Sequence, residues 1–340
     1  MATKSLYAFE DKFNLFWIVN DLFNSSTDKV LPYLYKEAGW GQAAKIPRTN
    51  FVTLTDHNDE HIAMNRVLNW VKYDTAIENA IPCALMQGDF ITANATTVAE
   101  FTTEVDNWFN LIPNDLPILW CNGNHDLGLD YLVSIANVPT ANQRRTLIHD
   151  RLYNRLPQTY KDNFTFGTAT DAMYYYCDVP DTNVRVIALD QFEYPIVAGT
   201  GRPIKYSGTA IYDGGNNIVA GFNTYYSEAQ MQFVRDALAS TPNGSTVILM
   251  THINIDTISD NNGELYSLAN SSVALRELLA SFKNQTNTTI TFDAIDELPA
   301  FNITTNFSGR TDSKILNIRG HVHNFDYNTI ASAGNIHSIQ

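Results

Sequence analysis

Five apolar runs in this chain, each with the composition of a buried β-strand, stop at residue types that bind metal ions. Leu54-Thr55 leads into Asp56, Leu85-Met86-Gln87-Gly88 into Asp89, and Pro117-Ile118-Leu119-Trp120-Cys121 into the block Gly123-Asn124-His125-Asp126. Val247-Ile248-Leu249-Met250-Thr251 runs into His252, and Ile315-Leu316-Asn317-Ile318-Arg319 opens into Gly320-His321-Val322-His323. Four of the eight histidines therefore lie at strand ends. This pattern constrains the fold, because layered sheets and helices keep their chemistry on strand-end loops, and here those loops must meet.

The elements between these runs alternate. A strand is predicted over 50–55. Ile62, Met64, Val67, Leu68 and Val71 form a helical face before a strand at 83–87, and Val98, Phe101, Val105, Trp108 and Phe109 form another before a strand at 117–121. That order predicts β-α-β-α-β units with parallel strands and right-handed crossovers. Further helices are predicted at 140–156, 227–240 and 271–283, and strands at 172–178, 184–189, 245–251, 314–319, 326–331 and 335–339. Two long irregular stretches, 191–223 and 253–270, start just past strand ends and are placed to form a substrate rim. At the N-terminus Leu6, Phe9, Phe13 and Phe16 fall at helical spacing and predict an amphipathic helix over 5–24. Its aromatic stripe is expected to pack on the body, with an oligomer or assembly contact as the alternative. The expected organisation is a helical extension over 1–49 and one domain over 50–340.

Composition narrows the function classes. With 44% hydrophobic residues the chain is globular. A net charge of −14 argues against a nucleic-acid groove, which needs clustered Lys and Arg. A small phosphorylated substrate stays open, because bound divalent cations reverse a local field. Cys83, Cys121 and Cys177 are widely spaced inside strand-like runs and read as buried hydrophobes, not as a disulfide framework. Met1 to Glu10 lacks the basic start and long apolar core of a signal peptide, and Phe13 to Val19 is too short to span a bilayer. A soluble protein, cytoplasmic or part of a virion, is expected. His57, His61, His149 and His337 read as structural or exposed residues, and Asp190 as a loop cap or a support to the site.

Asp56, Asp89, Asn124, His252, His321 and His323 together offer carboxylate, amide and imidazole donors. This mixed oxygen and nitrogen set suits Mn, Fe or Zn better than Ca or Cu(I), and the absence of cysteine disfavours a structural zinc site. Six donors exceed what one catalytic ion with open positions needs, but they suit two ions sharing a carboxylate. Two-metal sites clamp the attacking and leaving oxygens of an in-line displacement, the stabilisation that phosphate-ester hydrolysis requires.

In order, approximate spacing and strand-end placement, these blocks resemble the calcineurin-like metallophosphoesterase family over residues 50 to about 331. The resemblance implies a four-layer α-β-β-α sandwich of two mixed sheets. It implies that Asp89 bridges two divalent ions, that Asn124, His252 and His321 complete one shell, and that Asp56 and His323 serve the other. It places His125 beside the substrate, stabilising the transition state or protonating the leaving oxygen, with Asp126 orienting it. One block departs from the family: the usual Asp-x-His is here Asp56-His57-Asn58, so Asn58 stands in the ligand position of a histidine. A carboxamide oxygen is the weaker donor to a transition metal, so the first site is expected to be the looser one.

The expected activity is hydrolysis of a phosphate mono- or diester by a metal-bound water or hydroxide. The alternative is a weakly active or inactive binding protein on the same fold. The motifs and the expected N-terminal extension also resemble phosphoesterase domains of phage and prophage tail proteins, which implies a cell-surface phosphodiester polymer as the second class of substrate.

Overall fold

The computed structural model describes residues 5–10, 14–20, 49–54, 83–91, 95, 97–111, 116–127, 141–167, 173–193, 211–212, 218–220, 224–256, 270–294, 299–320 and 327–339. Strands β1 (Ser5–Glu10), β2 (Asn14–Asn20), β3 (Thr49–Leu54), β4 (Ala84–Met86) and β5 (Ile118–Trp120) form one sheet in that order. β1 is antiparallel to β2, and the remaining pairs are parallel. The second sheet begins with β6 (Phe164–Phe166), β7 (Tyr175–Asp178) and β8 (Val184–Ala188). β9 (Ile211–Tyr212) and β10 (Ile218–Ala220) pair separately, and β11 (Thr246–Met250) returns to the second sheet. β12 (Thr289–Phe292) and β13 (Phe301–Thr304) form another antiparallel pair. β14 (Lys314–Ile318), β15 (Tyr327–Ile330) and β16 (Ile336–Ile339) complete a mixed seven-stranded order, β15-β16-β14-β11-β8-β7-β6.

The helices are α1 (Val98–Leu111), α2 (Asn124–Leu127), α3 (Ala141–Arg155), α4 (Gln158–Lys161), α5 (Glu228–Ser240) and α6 (Asn270–Lys283). Each long helix forms where the apolar period predicts it. In α1 the buried residues Phe101, Val105, Trp108 and Phe109 make one stripe, and the Thr97 hydroxyl accepts from the Glu100 amide at its start. Ser227 caps α5 in the same way, accepting from Gln230.

Alternation along the second sheet divides the core in two. Val186, Ala188, Ile248, Met250, Leu316 and Ile318 pack with β4, β5, α1 and α3. Their neighbours Ile187, Leu189, Val247, Leu249 and Ile315 pack with α5, α6 and the β12–β13 pair. A strand's side chains point alternately to its two faces, so the layers run helix, sheet, sheet, helix. Strands buried on both faces read as unbroken apolar runs, as β4 and β11 do. Arg185, buried in β8, is held by Asp178 through two contacts of 2.7 Å.

Tyr175 joins the two sheets. β5 ends the first sheet, which leaves the Trp120 peptide groups facing outward. The Tyr175 hydroxyl accepts from Trp120 N at 2.6 Å and donates to Trp120 O at 2.8 Å. One side chain thereby satisfies both backbone groups of a buried sheet edge.

The N-terminus corrects the expectation of a helix over 5–24. Residues 5–10 and 14–20 are strands, paired with Phe9 opposite Phe16 and Leu6 opposite Val19. The succession Phe16-Trp17-Ile18-Val19 carries β-branched and aromatic types that favour extended chain, and so short an apolar run has no period to separate strand from helix. β2 also pairs in parallel with β3, Phe16 opposite Phe51, so this segment belongs to the first sheet and not to a helical extension ending at 49. The helical face read at 62–71 lies outside the described residues. β6, β12 and β13 were not foreseen, and β9 and β10 lie within the stretch expected to be irregular.

Candidate metal centre

Parallel strands put their C-terminal ends on one side, and three of those ends converge here. Past β4 the chain continues through Gln87 and Gly88 to Asp89, with Cys121 N donating to Met86 O at 2.9 Å to keep the β5 end alongside. Past β11, Thr251 N donates to Ile318 O, and Gly320 N donates to His252 O at 2.9 Å.

The side chains meet closely. His252 Nε2 lies 3.1 Å from Asp89 Oδ2 and 2.9 Å from Asn124 Oδ1. His252 Nδ1 lies 2.6 Å from the carbonyl of Gln87, which can only accept, so Nδ1 carries the proton. In the neutral ring the Nε2 lone pair then faces two oxygen acceptors. That lone pair and the two oxygens, each within about 3 Å of it, repel unless a positive charge lies among them. That is the arrangement a divalent cation fits, with the outer nitrogen of the histidine already held by a backbone carbonyl. All three residues are buried.

The loops carrying Asp89 and Asn124 are fitted to each other. A Cβ on Gly88 would stand 2.2 Å from Gly123 N, and one on Gly123 would stand 2.0 Å from Asp89 Oδ1. Gly88 also has φ +89°, and Asp89 itself is left-handed at φ 58°. A non-glycine residue in that region is strained, and such strain gathers at functional sites. Asp89 Oδ1 accepts from His125 N at 2.9 Å, which leaves Oδ2 to face His252.

Asp126, expected to orient His125, has a structural place that the sequence did not show. Its carboxylate accepts four backbone amides: Asp89 N and Gly123 N at 2.8 Å, and Phe90 N and Ile91 N at 3.0 Å. It is fully buried and ties the two ligand loops together. Burial, then the neighbouring Asp89 carboxylate, push its pKa up to about 7, against the pull of the Gly123, Ile91 and Asp89 amides. The reason is topological: the loop after β4 turns back over α2, bringing three successive amides to one side chain.

Two residues at the end of β8 support this centre. Gln191 Oε1 accepts from His252 N and Ile253 N, each at 2.6 Å. Asp190 pairs with the buried Arg145 of α3 at 2.6 Å and accepts from Phe192 N at 3.1 Å, so it is both a loop cap and half of an ion pair. Gln191 was missed, although its position directly past a strand end was the available signal. His149, packed on Phe166, and His337, in β16, take structural places.

The structure thus brings together Asp89, Asn124 and His252, with His125 and Asp126 beside them. Asp56, His57, Asn58, His61, His321 and His323 lie outside the described residues. The chain leading to two of these blocks is placed: Leu54, two residues before Asp56, pairs with Met86, and Gly320, next to His321, is bonded to His252. Among the described residues no group of three or more His, Cys, Asp or Glu is arranged to hold a metal ion, the third donor here being an asparagine. No described helix is long and apolar enough to cross a membrane.

A dimetal phosphatase from Danio rerio superposes with a TM-score of 0.51 at 14% identity, covering 85% of each chain. The fold is the calcineurin-like phosphoesterase fold. A purple acid phosphatase from yellow lupin (Lupinus luteus) seeds aligns at a TM-score of 0.44 and 13% identity over 82% of this chain and 39% of its own. No protein-family model matches the chain, and no curated protein sequence does. In the calcineurin-like fold described here, the donors of the candidate centre come from both sheets, Asp89 and Asn124 from one and His252 from the other.

Proposed function

We propose that this chain is a metal-dependent phosphoesterase. One observation carries the reading: Asp89 Oδ2 and Asn124 Oδ1, past two strand ends of one sheet, each lie within about 3 Å of His252 Nε2, past a strand end of the other. The fold shared with a dimetal phosphatase supports it.

Asp89, Asn124 and His252 would hold one divalent ion, with His321 as a fourth donor, and Asp56, Asn58 and His323, together with Asp89, would hold a second. Mn, Fe or Zn suits that donor set. Such ions supply Lewis-acid stabilisation of phosphoryl oxygens and lower the pKa of a water toward neutrality. The protein's own contribution is positional. Gln87 O keeps the proton of His252 on Nδ1, so Nε2 remains a donor of electrons. Asp126 fixes the Asp89 backbone, and His125, only partly buried, is assigned the proton for the leaving oxygen. The substrate is a small phosphorylated molecule or a surface phosphodiester polymer. Asn58, standing where the family carries a histidine, motivates a second reading, a binding protein on this fold such as a virion tail component.

Elemental analysis of protein purified without chelators tests the choice, together with hydrolysis of p-nitrophenyl phosphate and bis-p-nitrophenyl phosphate. Two equivalents of metal and turnover abolished by Asp89→Asn are expected. No metal, even after Mn²⁺ is added, overturns the enzyme reading and favours the binding protein.

A further inference from the structure

The His252 backbone is held from both sides of β11, and only one side is ordinary sheet. On the β14 side Gly320 N donates to His252 O. On the β8 side the ladder stops after Leu189 N donates to Met250 O, and a side chain takes over as strand partner. Gln191 Oε1 accepts from His252 N and Ile253 N, while its Nε2 donates to Ile253 O at 2.9 Å and to the Tyr226 hydroxyl at 2.9 Å. Every hydrogen-bonding position of this buried carboxamide is used, so it has one orientation. The Tyr226 hydroxyl oxygen accepts from Gln191 Nε2 and is itself hydrogen-bonded to Thr224, and the Thr224 hydroxyl meets that of Ser272 in α6 at 2.5 Å. Gln191, Tyr226, Thr224 and Ser272 are all buried. A chain of hydrogen bonds therefore runs from His252 to the first turn of α6.

We propose that Gln191 is a positioning residue for His252, setting where its ring stands, and that Tyr226, Thr224 and Ser272 extend that hold to α6. The inference rests on reading His252 as a metal ligand. Fully satisfied buried networks rigidify what they touch, and removing a support of a metal ligand typically costs about 10–100-fold in metal affinity.

The test is Mn²⁺ titration calorimetry of the full chain, the relevant binding step being the one lost in His252→Ala. Gln191→Met, which keeps the volume and removes the acceptor, is expected to weaken that step about tenfold or more. Gln191→Glu, which keeps an acceptor for the two amides, recovers part of the loss. Tyr226→Phe weakens it by less than Gln191→Met and shifts the visible absorption band of the Co²⁺-loaded protein. Val234→Ala, a core truncation in α5, lowers the melting temperature and leaves the step unchanged. Wild-type Mn²⁺ affinity in folded Gln191→Met and Tyr226→Phe overturns the inference, as does an equal loss in Val234→Ala. Should Gln191→Met not fold, Tyr226→Phe decides. A wild-type chain that binds no Mn²⁺ overturns the metal reading and this inference with it, whereas Mn²⁺ bound equally by all variants overturns this inference alone.

Discussion

Gly123→Ala gives a sharp test of the candidate centre, because the perturbation is a single methyl group at a known place. Its Cβ would stand 2.0 Å from Asp89 Oδ1, 2.5 Å from Asp89 N and 2.7 Å from Asp89 Cγ. Carbon and oxygen do not approach that closely, so the Asp89 carboxylate must retreat by about 1 Å or more. Such a retreat breaks the bond from His125 N and pulls Oδ2 away from His252 Nε2. Overpacking costs about 1–3 kcal/mol, and losing a hydrogen bond to a charged group adds about 1.5–3 kcal/mol. A loss of about 2.5–6 kcal/mol in urea denaturation is therefore expected, measured with EDTA so that metal does not contribute. Metal ligands tolerate only about 0.2 Å of error, so Mn²⁺ affinity should fall at least about 100-fold. A folded Gly123→Ala protein with wild-type Mn²⁺ affinity would refute the placement of Asp89 against this loop.

Two more substitutions test how the site is held. Asp126→Asn turns an amino group toward two amides that now donate to a carboxylate oxygen; at pH 8 it should cost about 2–4 kcal/mol in urea denaturation, and unchanged stability counts against the four-amide arrangement. Tyr175→Phe leaves the buried N–H and C=O of Trp120 unpaired and should cost about 2–4 kcal/mol by the same assay; a loss under about 0.5 kcal/mol would mean the hydroxyl does not join the sheets.

The strand ends were readable because chemistry and hydrophobicity change at the same residue there. Asp89, Asn124 and His252 each follow an apolar run that only a buried strand explains, and all three meet. The N-terminal hairpin was misread because Leu6, Phe9, Phe13 and Phe16 satisfy a helical spacing that a pair of short strands also allows. β12 and β13 were overlooked although Thr-Ile-Thr-Phe and Phe-Asn-Ile-Thr alternate with period two, exposed Thr and Asn against buried Ile and Phe. The work of Asp126 had no local signature, and that of Gln191 only its place just past a strand end. Each binds backbone amides that only the folded chain brings near, and a glutamine is ordinarily an exposed residue.

The reach of the His252 contacts also sets an order of events at synthesis. Its partner Gln87 is 165 residues away in the chain and Asn124 is 128 away. Contacts so distant form late, since the intervening chain must first be closed into a loop. At ordinary rates of translation the Gly-Asn-His-Asp loop leaves the ribosome roughly 10 s before the histidine that completes it. During that interval the nascent chain carries a carboxylate and an amide without their imidazole, and at its start the uncovered edge of β5 that Tyr175 later occupies. Tyr175 lies only 55 residues past Trp120, so the cover of the strand edge is made well before the imidazole of the ion site, and the unfinished site outlasts the exposed edge.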